Sequence, residues 1–260
     1  MLDNEFRDEL LQVLHTFHEF CETHGLKYYL IGGGLIGAVR HGGFIPWDDD
    51  IDVALSRDDF QKLIALQKEV PAGFKLQEPF LGDEYSNTMV RMHSTRLLVQ
   101  QDFLKKFNIG PWIDVFPLDN TFDNRLARKA HFFAAYLLKV FSASRLGGVL
   151  VTGNAKAKLK LLLYYVLQPI PLRWCAAAYN KVMMLKRKPG IYMANLTGRW
   201  REKEIIARPE LKKRALYDFE TIKVYSFADY DKWLGRVYGS YMELPKEQDR
   251  VPDHSLERVE

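Results

Sequence analysis

The sequence predicts a mixed α+β protein, and three features of its pattern support that fold class. The chain has 260 residues, of which 47% are hydrophobic, and this is enough to form a folded core. Strand-like and helical apolar spacings alternate through the first half of the chain. Helical spacing dominates from residue 125 to about residue 186. We therefore expect a mixed sheet with helices, together with a helical insertion or subdomain.

The N-terminal elements are predicted from apolar spacing and from the positions of glycines. Residues 4–24 carry one helical apolar stripe, and Gly25 is well placed to end that helix. Residues 27–31 are aromatic and β-branched and predict a strand. The glycines at positions 32–34 predict a tight turn, and residues 35–40 predict a short helix after it.

The next segments are predicted around a cluster of aspartates. Residues 44–46 and 51–55 are expected to be extended on either side of this cluster. Ser56, with Asp59 three positions later, predicts the capped start of a helix that stops before Pro71. Further strands are expected around residues 87–92, 97–103 and 112–116.

The expected organisation has three parts. We expect residues 1–119 to form a core, residues 120–190 a helical insertion that faces a substrate or a membrane, and residues 191–260 the part that completes the core. Basic side chains interrupt the apolar stretch within residues 132–175, so its runs are shorter than the roughly 20 residues that a membrane span requires. We therefore expect no membrane-spanning helix in this region.

Charge, cysteine content and the N-terminal sequence narrow the function classes. The net charge of +4 is compatible with nucleotides, anionic glycans or a membrane face, but it is too small to indicate nucleic acid. Cys21 and Cys175 lack the spacing of a disulfide scaffold or a zinc site, and we expect both in the core. The charged N-terminus lacks the pattern of a signal peptide, which favours the cytoplasm.

The strongest chemical signal comes from a run of aspartates, namely Asp48, Asp49, Asp50 and Asp52. Carboxylates that converge repel one another and require protonation or a divalent cation, for which Mg²⁺ or Mn²⁺ is the natural choice. On a strand, Asp50 and Asp52 point to one face, so this pair can bridge a metal ion and phosphate oxygens.

The aspartates alone leave other interpretations open. A solvated loop is the commonest fate of an aspartate run, but the interleaved Trp47 and Ile51 disfavour it. An EF-hand would need Gly and Glu where this sequence has Val53 and Asp59. The Asp-x-Asp motif of glycosyltransferases uses the same ion chemistry. The upstream glycine turn, which offers backbone amides to a phosphate, favours a nucleotide-phosphate site.

Residues 29–53, YLIGGGLIGAVRHGGFIPWDDDIDV, closely resemble the signature of the LicD family, which also includes the fukutin-related enzymes. Residues 112–119 and 238–245 are similar to two later blocks of that family. The resemblance implies a nucleotidyltransferase-like core. It implies a phosphate-binding turn at Gly32, Gly33 and Gly34, in which a third glycine stands where the family more often has Ser or Thr.

The same resemblance assigns roles to the acids. It implies that Asp50, Asp52 and Asp114 are catalytic and bind the metal, with Asp48 as an additional metal ligand. Asp49 is the acid of the run that we expect to be spared from this role. Asp119 is expected to be an ordinary turn residue after Pro117.

The resemblance also implies an activity. LicD-like enzymes transfer a phospho-substituent, most of all phosphocholine from CDP-choline, to a hydroxyl of a cell-surface glycan, a lipopolysaccharide or a teichoic acid precursor. The acceptor is expected to be lipid-linked in some cases, which motivates a peripheral contact with the inner face of the cytoplasmic membrane. Alternatives are a transferase for CDP-ribitol, CDP-glycerol or CDP-ethanolamine, a nucleotidyltransferase, and a non-catalytic glycan-binding protein. The retained acids disfavour the last.

Further binding residues are candidates by residue type. Basic side chains near the motif that could bind phosphate oxygens are Arg40, His41 and Arg91. A quaternary ammonium favours an aromatic cage, and the aromatic side chains available for one are Trp47, Trp112, Phe116 and Tyr238. For any one aromatic residue, packing in the core is the commoner role.

Overall fold

The computed structural model describes residues 4–78, 89–101, 107–146, 165–166, 169–252, 254 and 256–258. Within these ranges helices surround a sheet that contains both parallel and antiparallel strands. The predicted α+β fold class is therefore confirmed.

The N-terminal elements follow the apolar spacing of the sequence. Helix α1 spans Asn4–His24 and ends at Gly25, which has a φ of 64°. Strand β1, Tyr28–Ile31, runs directly into helix α2, Gly32–His41. The glycines therefore form the first turn of α2 rather than a separate turn before it. Gly32 permits this because its φ of 63° lies in the left-handed region that favours glycine.

The segment after α2 differs in part from the prediction. Residues 44–46 form no strand, because the N–H of Asp48 donates to the carbonyl of Ile45 at 3.0 Å and closes a turn. Strand β2 spans Ile51–Ser56, and helix α3 spans Arg57–Ala65. The predicted cap of α3 is confirmed, since the Ser56 hydroxyl accepts the backbone N–H of Asp59 at 3.2 Å.

Five strands follow α3. Their bounds are β3 Phe74–Gln77, β4 Val90–Ser94, β5 Val99–Gln101, β6 Phe107–Ile109 and β7 Trp112–Asn120. Strands β4, β5 and β7 match the predicted strands, although Asn87 and Phe103 lie outside the described residues. Strands β3 and β6 were missed because each is too short to show a clear alternation.

The length of β7 corrects one residue assignment. Asp119 lies within this strand and is buried, so it is not a turn residue. Its carboxylate forms a bidentate ion pair with Arg57, whose Nε is 2.7 Å from Oδ1. Pro117 does not end the strand, because a proline only removes one donor from the ladder.

The second half of the chain combines helices and short strands. The helices are α4 Arg125–Leu146, α5 Leu172–Met183, α6 Arg208–Leu211 and α7 Tyr230–Tyr238. The strands are β8 Tyr192–Ala194, β9 Ile205–Ala207, β10 Arg214–Phe219, β11 Ile222–Phe227 and β12 Leu256–Arg258. The helical region predicted from residue 125 is present as α4 and α5, but residues 147–164 and 167–168 of it lie outside the described part.

The sheet brings three strand ends to one edge. Its order is β1-β2-β7-β4-β3, with β8 paired to β7 and to β9. Strand β2 is antiparallel to β1 and parallel to β7. Asp52 consequently lies opposite Ile31 on one side and Asp114 on the other. The register thus places the glycines that follow Ile31 beside Asp52, with Asp114 on the next strand.

Two apolar clusters hold these elements in place. The larger one joins α1, the sheet, and the β10–β11 hairpin, with Phe17, Leu30 and Val53 among its fully buried side chains. The smaller one joins α4, α5 and β8 through residues that include Phe132 and Tyr179. The boundaries drawn at residues 119 and 190 stay a prediction.

Two predicted properties of the chain can be compared with the structure. The two cysteines are buried, as expected for core residues. Among the described residues, no helix combines the length and apolarity that crossing a bilayer requires.

Candidate metal and phosphate site

Three carboxylates meet at the edge where β1, β2 and β7 come together. Asp50 precedes β2, Asp52 is its second residue, and Asp114 is the third residue of β7. One oxygen of each can be chosen so that the three atoms lie within 4.8 Å of one another. Oxygen ligands at this separation suit a hard divalent cation. The donor set therefore fits Mg²⁺ or Mn²⁺.

The protonation of these acids supports the same conclusion. Removal from water is the largest effect on Asp50 and raises its pKa to about 7; the charges of Asp114 and Asp49 add to this, whereas His254 and Arg91 oppose it. Removal from water also raises the pKa of Asp52 well above its ordinary range, and Asp50 and Asp114 raise it further. The positive charges of the protein near Asp50 and Asp52 are thus too few to keep both ionised, and a bound cation would supply the missing charge.

Arg91 holds the third acid. Its Nε donates to Oδ1 of Asp114 at 2.6 Å, and its second nitrogen is 3.3 Å from Oδ2. The two residues face each other across β4 and β7, and both are buried. The guanidinium also lies 4.5 Å from the ring centroid of Trp112. The predicted phosphate ligand Arg91 is therefore engaged with a carboxylate and an aromatic ring.

The glycines of α2 leave room for the acids. A Cβ added at Gly32 would be 2.7 Å from Oδ2 of Asp52, and one added at Gly33 would be 2.1 Å from Oδ2 of Asp48. At Gly34 the obstacle would be the side chain of Leu30, at 2.9 Å. Asp48 and Asp52 thus lie against the N-terminal turn of a helix, where the backbone dipole stabilises negative charge.

Asp49 has a contact that the sequence did not reveal. Its carboxylate is buried and accepts the backbone N–H of His254 at 2.8 Å, while Nδ1 of that histidine is 3.0 Å from its other oxygen. Burial lowers the pKa of His254, but the hydrogen bond to Asp49 and the charge of Asp50 outweigh it, so the pKa is raised. No spacing signal could have linked these residues, because 205 positions separate them.

Asp49 and His254 also extend the acidic edge. With Asp50 they form a second group whose ligand atoms can lie within 4.8 Å of one another. The ring of His254 packs edge-on against Trp112 at 5.3 Å. Asp50 is shared by both groups, so the segment that carries His254 borders the three-carboxylate cluster directly.

Arg40 and His41 lie at the opposite end of α2 from the glycines. At a rise of about 1.5 Å per residue, Arg40 is about 12 Å along the helix from Gly32. Its guanidinium donates to the carbonyls of Tyr241 and Glu243 at 2.8 and 3.2 Å. These contacts tie α2 to the chain beyond α7, away from the acids.

The four aromatic residues considered for a cage are not gathered together. Trp112 is fully buried between Arg91 and His254, and Phe116 is half-buried in β7. Trp47 is half-buried, and the guanidinium of Arg250 lies 5.5 Å from its ring. Only Tyr238 is electrostatically close to the site, because Asp52 is, after burial, the largest contributor to its raised pKa.

Two residues near Tyr238, Trp200 and Glu204, were not predicted from the sequence. The ring of Tyr238 packs against Trp200 at 5.5 Å. The backbone N–H of Trp200 donates to the buried carboxyl of Glu204 at 2.8 Å. Burial raises the pKa of Glu204 to about 7, against the effects of this hydrogen bond and of Lys139. Both residues belong to the connection between β8 and β9, which carries no recognisable motif.

Comparisons with known proteins bear on the family resemblance. Residues 25–139 match the family LicD/FKTN/FKRP, nucleotidyltransferase domain. The lipopolysaccharide cholinephosphotransferase LicD of Haemophilus influenzae is 26% identical over 95% of this chain and 94% of its own length. The ribitol 5-phosphate transferase FKRP of Homo sapiens is 50% identical over 38 residues, which are 15% of this chain and 8% of that protein. The resemblance to the LicD family is confirmed.

Proposed function

Because this chain carries a LicD-family domain in residues 25–139, we propose that it transfers phosphocholine from CDP-choline to a hydroxyl of a cell-surface glycan. The observation that carries the proposal is the meeting of Asp50, Asp52 and Asp114 at one sheet edge beside the glycines of α2. The cholinephosphotransferase that matches nearly the whole chain supports phosphocholine as the transferred group. The short match to a ribitol 5-phosphate transferase supports a CDP-ribitol donor as the alternative.

We propose that Asp50, Asp52 and Asp114 hold Mg²⁺ or Mn²⁺, with Asp48 assisting. The raised pKa values of Asp50 and Asp52, and the spacing of Asp50, Asp52 and Asp114, support this assignment. A bound divalent cation neutralises the charge of a diphosphate, which favours both the approach of a nucleophile and the departure of CMP. In the transfer, the glycan hydroxyl oxygen forms a bond to the phosphorus of phosphocholine as the bond from that phosphorus to the oxygen of CMP breaks. CMP leaves with the bonding electrons, and the hydroxyl proton passes to water.

The chain's own residues would mainly position the reactants. Arg91 engages both oxygens of Asp114, which favours a holding role for this acid over the role of proton acceptor. The N-terminal amides of α2 are the proposed contact for the donor phosphates, since helix N-termini bind anions. Positioning and electrostatic stabilisation supply most of the rate acceleration in phosphoryl transfer.

The location of the reaction is a further part of the proposal. We retain the cytoplasm as the site of action and a peripheral contact with the membrane through the helical region. Exposed apolar side chains on that region, Leu126 on α4 and Trp174 on α5, support such a contact. Flotation with vesicles of anionic lipid tests it, and a protein that stays at the bottom of the gradient contradicts it.

Donor use can be tested directly. Purified protein is incubated with Mg²⁺, lipopolysaccharide oligosaccharide as the acceptor, and CDP-choline, CDP-ethanolamine, CDP-ribitol, CDP-glycerol or sugar nucleotides. Nucleotide binding and CMP release are measured. We expect release from CDP-choline and none from the sugar nucleotides. Asp52→Asn is expected to abolish it, while Asp58→Asn, on the exposed side of α3, leaves it unchanged. Binding of sugar nucleotides alone would contradict the proposal.

A further inference from the structure

A cavity lies between α4 and the connection from β8 to β9. Its volume is about 310 Å³, and it is lined by Lys129, Phe132, Phe133, Tyr136, Arg201 and Glu202. This is near the lower end of the roughly 300–1,000 Å³ that small-molecule sites occupy. A single sugar unit is of a suitable size for it.

The lining combines aromatic walls with a charged rim. Phe132 is buried and belongs to the smaller apolar cluster, whereas Phe133 and Tyr136 are 60% and 39% exposed. The C–H face of a pyranose packs against such rings, and charged groups at the edge bind its hydroxyls. Two of the rim side chains, Lys129 and Arg201, are basic, and one, Glu202, is acidic. The rim therefore favours a sugar that carries an anionic substituent.

The backbone at the rim is held in an unusual conformation. Arg201 has a φ of 51°, which a residue with a side chain seldom adopts. Its guanidinium carbon lies 4.1 Å from the ring centroid of Tyr136. A glycine would adopt this φ more easily. The arginine is therefore unfavourable for the backbone at this position, and any benefit must come from its side chain.

The rim of the cavity is next in sequence to a residue that approaches the acidic edge. Arg201 and Glu202 begin the 3₁₀ helix Arg201–Glu204, and Trp200 immediately precedes it. The ring of Trp200 packs on Tyr238 at 5.5 Å, and burial together with the charge of Asp52 raises the pKa of Tyr238.

We propose that this cavity is the acceptor subsite, and that it binds one sugar unit with an anionic substituent in the glycan that receives the phospho-group. The inference rests on the proposed function, because it supplies the second substrate of that reaction. The sugar ring packs on Phe133, and Lys129 and Arg201, which lies over the ring of Tyr136, bind the anionic substituent. The adjacent part of the glycan extends past Trp200 and Tyr238 toward Asp52.

Binding is measured first without Mg²⁺ or donor. The probe is lipid-free core oligosaccharide from a bacterial lipopolysaccharide, before and after phosphatase treatment, titrated by calorimetry and mapped by saturation-transfer NMR. Arg201→Gly should weaken binding of the phosphorylated form by about tenfold or more, because a charge-assisted hydrogen bond is lost. Since this change relieves the positive φ, unfolding cannot account for the loss. Phe133→Ser should weaken both forms.

Matched controls come from α4. Leu137→Ser removes a half-exposed apolar side chain one turn beyond Phe133, and Arg125→Ala removes an exposed positive charge one turn before Lys129. Neither residue lines the cavity, so both variants should bind as the unchanged protein does. In transfer assays, Arg201→Gly should raise the KM for the oligosaccharide and leave the KM for CDP-choline unchanged.

Three results would overturn the inference. The first is that the unchanged protein does not bind the oligosaccharide, and the second is that the control variants lose as much binding as the test variants. The third is that Phe133→Ser loses binding to phosphatidylglycerol vesicles but keeps binding to the oligosaccharide. The last would make this face a lipid contact. Failure of the proposed function is separate, because the unchanged protein would then release no CMP from CDP-choline, whatever it binds in the cavity.

Discussion

At the scale of single residues, the ion pair between Arg91 and Asp114 joins stability to chemistry. Both side chains are buried. Removing the guanidinium of Arg91 would therefore leave the carboxylate of Asp114 without a positive partner beside Asp50 and Asp52. The pair thus holds one acid of the cluster in a fixed orientation. The pair also places the permanent positive charge of Arg91 next to the three-carboxylate cluster, in which Asp50 and Asp52 lack such a partner among the described residues.

Arg91→Met should lower the free energy of unfolding by about 3–5 kcal/mol, because it breaks a buried ion pair. Denaturant unfolding in EDTA measures this. The double variant Arg91→Met/Asp114→Leu should recover part of the loss, since it leaves no unpaired charge. A double variant less stable than Arg91→Met would contradict this explanation.

Glu204 gives a pH dependence whose sign is fixed. Its pKa is raised from 4.5 to about 7, mainly by burial, so the folded protein retains a proton that the unfolded chain releases. The stability that it contributes is present below pH 4.5 and is lost as the pH rises through about 7. Between pH 4.5 and about 7, the free energy of unfolding of Glu204→Gln should therefore fall by less than that of the unchanged protein. Unfolding in EDTA measures the difference, and identical profiles would contradict it.

At the scale of elements, α2 shows how one helix serves two purposes. Its first turn approaches Asp48 and Asp52 closely because it consists of glycines, and its far end is fixed by Arg40. Helix α7 also contains a glycine, Gly235, but a Cβ there would meet no atom within 4 Å. The two helices therefore allow a paired test of what the glycines do.

Gly33→Ala should abolish most transfer, because the new methyl group would overlap the carboxylate of Asp48. Gly235→Ala should instead raise the free energy of unfolding by about 0.5–1 kcal/mol, since alanine favours a helix interior and the space is open. Activity assays and denaturant unfolding of both variants measure these effects. Full activity in Gly33→Ala would show that close packing against Asp48 is dispensable.

At the scale of the whole molecule, repulsion among the buried acids opposes folding, and a bound cation would relieve it. Mg²⁺ at about 100 times its dissociation constant should stabilise the protein by about 2.7 kcal/mol. Thermal unfolding with Mg²⁺ and with EDTA measures the shift. Asp52→Asn should be more stable than the unchanged protein in EDTA and should lose the shift. An equal shift in this variant would show that Asp52 does not bind the cation.

The sequence predicted what depends on local pattern. The apolar stripe of α1, the Ser56 cap and the acids around β2 are all encoded within a few neighbouring positions. It could not predict the contacts made across the fold. The pairing of Arg91 with Asp114 depends on strand register, and Glu204 becomes part of the site through the packing of Trp200 on Tyr238.

The hydrogen bonds between Asp49 and His254 have a consequence for folding kinetics. Closing a contact between residues 205 positions apart is slow, because nearly the whole chain must first be ordered. Glu220, which accepts the N–H of Phe44 at 3.0 Å, reaches the same loop from 176 positions away. We therefore expect these two contacts, which fix residues 44 and 49, to form late in folding. Until they form, no described residue from the C-terminal part of the chain holds Asp49 beside Asp50.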